Sequence, residues 1–155
     1  MATFDSNFFA ANRPITSPHS AGELHIAEGT ISFPATLADG DIGRACYLPA
    51  NCMPVDLIVH TDELDEHATD TLTFDVGLLN DDGDGLVAGS KFLSGSVADA
   101  GSTLRATNLS GAFTSIERDE TEDRVIAVEI TEDPATGKAG DMRVCLIYRA
   151  AEWGE

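Results

Sequence analysis

The sequence predicts an all-β protein built as an antiparallel sandwich. The clearest evidence is the segment 71–79, T-L-T-F-D-V-G-L-L, in which Leu72, Phe74, Val76 and Leu78 alternate with less apolar residues. A period of two places successive side chains on opposite faces, which is typical of a half-buried strand. Segments 55–61 and 142–149 alternate in a similar way, and no segment has a convincing helical period.

About eight strands are predicted, a number that fits a jelly-roll-like sandwich. In chain order they are residues 23–33, 42–48, 55–61, 71–79, 91–97, 112–117, 124–130 and 142–149. The phase of the first strand slips at Gly29, which predicts a bulge or bend there. Pro49 and Pro54 are expected to flank a turn outside the ladder, because proline has no N–H to donate. The Gly-, Ser-, Thr- and Asn-rich residues 98–109 are expected to form a long loop.

The last predicted strand is apolar on both faces. Met142, Val144, Leu146 and Tyr148 share one face, and the other face holds Cys145 and Ile147. A strand of this kind is central in its sheet, covered by another segment, or part of an interface.

The chain is expected to form one sandwich domain, residues 23–155, preceded by an extended arm, residues 1–22. The arm has one acidic and one basic residue, so the net charge lies in the domain. It also carries Phe4, Phe8 and Phe9, which are costly to leave in water. We therefore expect these rings to be attachment residues that contact a partner. The alternative is that they cover an edge of their own sandwich.

The charge of the chain excludes several classes of partner. Its 27 acidic and 9 basic residues give a formal net charge of −18. Such a field repels phosphate, so neither direct nucleic-acid binding nor docking on an anionic membrane is expected. The N-terminal residues lack the features of a secretory signal, and no segment reaches the ~18–20 apolar residues of a membrane span. A soluble protein made in a cytoplasm is expected.

The sequence offers no basis for catalysis. It has no G-x-S-x-G motif and no glycine-rich phosphate loop between a strand and a helix. Its three cysteines, Cys46, Cys52 and Cys145, do not make a disulfide framework, although Cys46 and Cys52 bracket a short turn. Free buried thiols are expected, and the protein is interpreted as a non-enzyme without a cofactor.

One loop resembles the beginning of a calcium site. In N-D-D-G-D-G, Asn80, Asp82 and Asp84 are spaced like the first oxygen ligands of an EF-hand. The twelfth position is Lys91 instead of glutamate, which excludes an EF-hand. A weak surface cation site and a plain connecting loop remain as alternatives.

Three stretches together resemble the capsid decoration, or cement, proteins of tailed phages. They are G-D-I-G-R-A-C-Y-L-P-A at 40–50, T-L-T-F-D-V-G-L at 71–78 and P-A-T-G-K-A-G-D-M-R-V-C-L-I-Y at 134–148. The resemblance implies a jelly roll that binds the outer surface of a shell of major capsid protein. It further implies a homotrimer, a place on the virion surface after synthesis in the host cytoplasm, and no catalytic residues.

Two other functions remain open from the residues. One is a carbohydrate- or cation-binding β-sandwich module without catalysis, although one Trp and two Tyr provide few aromatic residues for sugar stacking. The other is a cupin-type enzyme, which is weakened because no predicted strand carries an H-x-H pair.

Overall fold

The computed structural model describes residues 2–6, 9, 23–97, 102–106, 116 and 121–150. The described residues form nine strands, and they contain no helix long and apolar enough to cross a membrane. The strands are β1 (Thr3–Asp5), β2 (Leu24–Phe33), β3 (Ile42–Leu48), β4 (Cys52–Thr61), β5 (Thr73–Leu78), β6 (Leu93–Val97), β7 (Ser102–Arg105), β8 (Arg124–Glu132) and β9 (Gly140–Ala150).

The strands form two sheets that pack face to face. Sheet A has the order β1-β3-β8-β5-β6, and sheet B has the order β2-β9-β4-β7. All pairs are antiparallel except β1 with β3. From β2 to β9 the chain changes sheet at every connection except the β5–β6 hairpin, which produces interlocked Greek keys. The all-β, jelly-roll-like sandwich expected from the sequence is confirmed.

The core fills the space between the sheets with the inward side chains of each strand. Leu57 and Val59 of β4 are fully buried, as are Phe74 and Val76 of β5. The inward face of β9 is the one predicted, with Met142, Val144, Leu146 and Tyr148 all buried. Each such side chain stabilises the fold by roughly 1.5–3 kcal/mol relative to exposure in water.

The start of β4 differs from the prediction. The strand begins at Cys52, so Pro54 lies inside it and does not precede it. The pairing with β9 shifts register between Pro54 and Asp56, and a bulge of this kind tolerates proline. The shift also turns Val55 outward, where it is 41% exposed and does not share the buried face of Leu57.

The bulge predicted at Gly29 is wrong. β2 pairs with β9 in continuous register from Leu24 to Phe33. A Cβ on Gly29 would overlap the carbonyl oxygen of Ala45, so the glycine permits close approach of β2 to β3. The slip in the apolar pattern has another cause: Leu24 and Ile26 point away from the core, whereas the later apolar residues of β2 point into it.

Two strands were not predicted. β1 lies within the expected arm, and β7 lies within the expected loop 98–109. The strand predicted at 112–117 lies outside the described residues apart from Ile116, which is buried and belongs to no strand.

A buried carboxylate fixes the loops at one end of the sandwich. Asp65, between β4 and β5, has no exposed surface. It accepts hydrogen bonds from backbone N–H groups on both sides, those of His67, Thr71, Leu72, Ala135 and Thr136. Burial alone would raise the pKa of Asp65, but these hydrogen bonds together hold it well below its usual range. The β4–β5 and β8–β9 loops are thereby joined.

Candidate functional site

The N-terminal strand brings one of the three predicted attachment residues onto the sandwich. β1 runs parallel to β3, with Phe4 opposite Gly43. The half-buried Phe4 ring meets the Phe33 ring edge to face, with 5.5 Å between centroids. Beside it, the Arg44 guanidinium donates to Asp5 at 2.6 Å, and this hydrogen bond raises the pKa of Arg44.

Phe9, another of the predicted attachment residues, packs beside side chains further along β3. Its ring centroid is 4.6 Å from that of Tyr47, and the guanidinium carbon of Arg44 lies 5.0 Å from its centroid. Both contacts are with the chain's own domain. Phe8 lies outside the described residues.

The cysteines are free, as expected from the sequence. Cys46 and Cys52 are buried, and Cys145 is half-buried. Burial raises the pKa of the Cys46 thiol, so it remains protonated and inert at neutral pH. Among the described residues, no group of three or more His, Cys, Asp or Glu side chains is placed to hold a metal ion.

The loop with the candidate cation ligands is held by its own hydrogen bonds. The Asn80 amide donates to Asp84 Oδ1 at 2.7 Å, while its carbonyl oxygen accepts from the Asp84 backbone N–H at 3.1 Å. Asp82 is exposed at the tip, where Gly83 has a φ of 74°. The loop borders a cleft of about 500 Å³ whose opposite wall includes Glu122 and Arg124.

An apolar surface lies on the outer face of sheet B, the face that points away from the core. Leu24 is 62% exposed and Ile26 is 67% exposed, both on the edge strand β2. Ile26 lies opposite Ile147 of β9, and one step further along β9 Cys145 lies opposite Ile58 of β4. These five residues are called the apolar corner below.

A polar groove of about 450 Å³ adjoins the apolar corner on the same face. In one row across the sheet, Thr30 of β2, Arg143 of β9, His60 of β4 and Thr103 of β7 lie next to one another. His60 Nδ1 is 3.0 Å from Thr103 Oγ1. The groove therefore offers one arginine and the carboxylates of Asp62 and Asp141, together with hydroxyl and imidazole groups.

The sequence contained a partial signal for this face. The apolar character of both sides of β9 predicted a central, covered or interfacial strand; β9 is central, between β2 and β4, and Cys145 and Ile147 lie on its outer side. The contribution of Leu24 and Ile26 was missed because their change of face was attributed to a bulge. The polar groove could not be found from sequence, since its residues come from four strands.

Comparisons with known proteins identify what the chain is similar to. No protein-family model and no curated protein matches it. A solved structure entitled "Capsid of Ralstonia phage GP4" contains a chain that is 30% identical, with a TM-score of 0.82, and the match covers 97% of this chain and 99% of that one. A chain of the "Cyanophage Pam1 capsid asymmetric unit" shares the fold, with a TM-score of 0.66 and 23% identity over 90% of this chain and 94% of that chain. The protein therefore belongs to the same family as the GP4 capsid chain and is a phage capsid-related protein.

Proposed function

We propose that this protein decorates and stabilises a phage capsid by binding the outer surface of the shell formed by the major capsid protein. The observation that carries the proposal is the nearly complete match to a chain of the GP4 capsid. The three stretches that resemble decoration proteins lie in β3, in β5 and in β9 with its preceding loop. The proposed role is structural and requires no catalytic group.

The fold supports an additive role on a completed shell. The domain has its own buried core between two sheets, so it is able to fold before it meets a partner. The net charge of −18 keeps copies soluble while they are free. A homotrimer is part of the proposal, because closed rings of identical subunits match the rotational symmetry of a capsid lattice.

We assign Phe4, Phe8 and Phe9 to the shell contact as part of the same proposal. The Phe4 ring is half-buried against Phe33 and the Phe9 ring lies beside Tyr47, so both begin from fixed positions on the domain. Fixed rings lose little conformational entropy on docking, which favours their use as apolar anchors.

Binding to undecorated particles tests the function. Purified protein is added to virions from a phage in which its gene has been deleted, and bound copies are counted after sedimentation. The proposal expects saturable binding in multiples of three per site and a raised disruption temperature of the particle. Absence of the protein from wild-type virions, together with no binding to the particles, would contradict it.

The anchors are tested with a double variant, Phe8→Ala with Phe9→Ala, in the same assay. Much weaker binding is expected, with a small decrease in melting temperature because Phe9 loses its contacts with Tyr47 and Arg44. Removal of residues 1–22 is a poorer test, because residues 3–5 belong to sheet A. Phe4→Ala is a useful comparison, since loss of the Phe33 contact is expected to lower the melting temperature as well.

A further inference from the structure

A buried acid lies beside a lysine on the outer face of sheet A. Asp75 of β5 alternates with the core residues Phe74 and Val76, yet it is only 4% exposed. The Lys91 ammonium donates a hydrogen bond to Asp75 Oδ2 and lies 3.8 Å from Glu129 Oε2. Asp75 and Glu129 are directly opposite each other on the paired strands β5 and β8. The fold therefore brings one amine and two carboxylates together from three segments of the chain.

The backbone that carries Lys91 is held against the sheet. Its two neighbours in the chain, Ser90 and Phe92, are both buried. The Phe92 N–H donates to the carbonyl oxygen of Val76 at 2.7 Å, one residue from Asp75. The amine therefore starts from a fixed position beside the acid, and groups held in this way react with each other far more readily than the same groups free in solution.

The two oxygens of the Asp75 carboxylate have different partners. Oδ2 faces the Lys91 ammonium, whereas Oδ1 accepts the backbone N–H of Gly95 at 2.7 Å. If the amine attacks the carboxyl carbon, negative charge develops on the oxygen that is retained. An N–H group already in place at Oδ1 stabilises that charge, as the donors of an oxyanion hole do.

The amine and the acid are ionised in the resting arrangement. The hydrogen bond to Asp75 raises the pKa of Lys91. Burial acts to raise the pKa of Asp75, but the hydrogen bonds from Lys91 and Gly95 outweigh it and lower that pKa. The reactive pair, a free amine and a neutral acid, forms when one proton moves along the existing hydrogen bond. This transfer changes no net charge, and burial favours the neutral forms over the ionised ones. A bond that forms once in the lifetime of each molecule requires only a small population of this neutral pair.

We propose that Lys91 and Asp75 become joined by an isopeptide bond that the folded chain forms by itself, with Glu129 as the proton carrier. Lys91 Nζ passes one proton to Asp75 Oδ2 and attacks Asp75 Cγ, so that the C–N bond forms and the charge moves to Oδ1. Glu129 takes a second proton from the nitrogen and returns it to Oδ2. The C–Oδ2 bond then breaks, one water leaves, and Glu129 is regenerated. The bond concerns this chain alone and does not depend on the proposed decoration function.

The intact mass of the purified protein tests the proposal. The wild type is expected to be lighter than its sequence by the mass of one water molecule. Lys91→Arg keeps a cation beside Asp75 but removes the nucleophile, and Glu129→Gln keeps both reacting groups but removes the proton carrier. Both variants are expected to have their full sequence mass. The matched control is Lys138→Arg, because Lys138 also lies between two carboxylates, at 2.8 and 3.1 Å, but on an exposed surface. It is expected to lack one water, as the wild type does.

Digestion with trypsin locates the lost water. This step is needed because an Asp–Gly pair, of which the loop 80–85 has two, also loses one water when it cyclises to an imide. Lys91 is the only lysine or arginine between Arg44 and Arg105. An isopeptide bond prevents cleavage after Lys91, so residues 45–105 are expected to remain one peptide that lacks one water. An imide would leave two separate peptides.

The bond would also stabilise the fold, because it closes the chain between two residues that are 16 positions apart and so restricts the unfolded state. Glu129→Gln is therefore expected to melt ~6–12 °C below the wild type. A wild-type mass equal to the sequence mass would overturn the proposal and leave an ordinary ion pair. Loss of water that persists in Lys91→Arg, or cleavage of the wild type after Lys91, would overturn it as well. Loss of water that persists in Glu129→Gln would overturn the role of Glu129.

Discussion

Asp65 shows how one residue organises the loops at one end of the sandwich. Its carboxylate accepts the backbone N–H of Thr71 at 3.0 Å and that of Thr136 at 2.9 Å, from loops far apart in sequence. The carboxylate itself is fully buried, so these N–H groups lose their common acceptor if the side chain is replaced. An isosteric amide cannot replace it, because one of its two polar ends is itself a donor.

Asp65→Asn is therefore expected to lower the free energy of unfolding by about 3 kcal/mol, since several backbone N–H groups lose a charged, buried acceptor. This corresponds to a decrease in melting temperature of ~6–12 °C for a chain of this size. Asp70→Asn in the same loop is the matched control, and a change within ~0.5 kcal/mol is expected there. Equal melting temperatures for the two variants would show that the Asp65 carboxylate does not stabilise the fold.

The same residue has a predictable pH dependence. The pKa of Asp65 is lower in the folded protein than in the unfolded chain, so unfolding takes up a proton at acidic pH. Its stabilisation is complete above the unfolded pKa of about 4 and is lost as the pH falls through the folded value. We expect the difference in melting temperature between wild type and Asp65→Asn to be smaller at pH 3 than at pH 7. A constant difference would contradict this account.

Among the elements, β2 contacts the other sheet closely at Gly29 and leaves the apolar side chains of Leu24 and Ile26 exposed. Gly29→Ala is expected to lower the free energy of unfolding by about 3 kcal/mol, because the new methyl group would overlap the backbone of Ala45 and force the strands apart. Gly85→Ala is the control, since a methyl group there would lie 3.7 Å from Glu129 Oε1, an ordinary contact. Thermal melts of the two variants measure the difference, and equal effects would exclude the close approach as the cause.

β1 is the element that connects the N-terminal segment to the domain. Deletion of residues 1–6 removes its pairing with β3, the Phe4 contact with Phe33 and the hydrogen bond from the Ser6 hydroxyl to the Ala45 carbonyl. We expect a loss of about 3 kcal/mol and a melting temperature ~6–12 °C lower. An unchanged melt would mean that β1 is dispensable for the sandwich.

The elements predicted best from sequence are those whose alternation is imposed by burial on one face. β3 has the predicted bounds, and the inward face of β9 is the predicted one. β1 and β7 have three and four residues, too few to establish a period, and their pairing depends on distant strands. β4 was predicted too short because the bulge that tolerates Pro54 depends on its pairing with β9.

The candidate site was less predictable for a related reason. Apolar residues on both faces of a strand are also typical of a central strand, which β9 is, so the outward Ile147 does not by itself identify an interface. Whether Arg143 has a partner depends on which carboxylates the fold brings near it, and sequence spacing does not contain that information. The exposure of Ile26 likewise follows from the uninterrupted register of β2 with β9.

At the scale of the whole molecule, an acidic sandwich with its own buried core is proposed to dock on a capsid. Like charges oppose the approach of copies to one another and to an acidic shell, so docking is expected to use surface where acidic groups are scarce. The N-terminal residues 1–22, with one acidic and one basic residue, meet that condition.

A cryo-EM reconstruction of the virion, compared with that of particles lacking this protein, tests the central claim most directly. The account predicts additional density on the outer surface of the shell, arranged in groups of three. Each unit should fit the nine-stranded sandwich, with Phe4, Phe8 and Phe9 toward the major capsid protein. Identical density in both particles, or a sandwich located only inside the shell or in the tail, would contradict it.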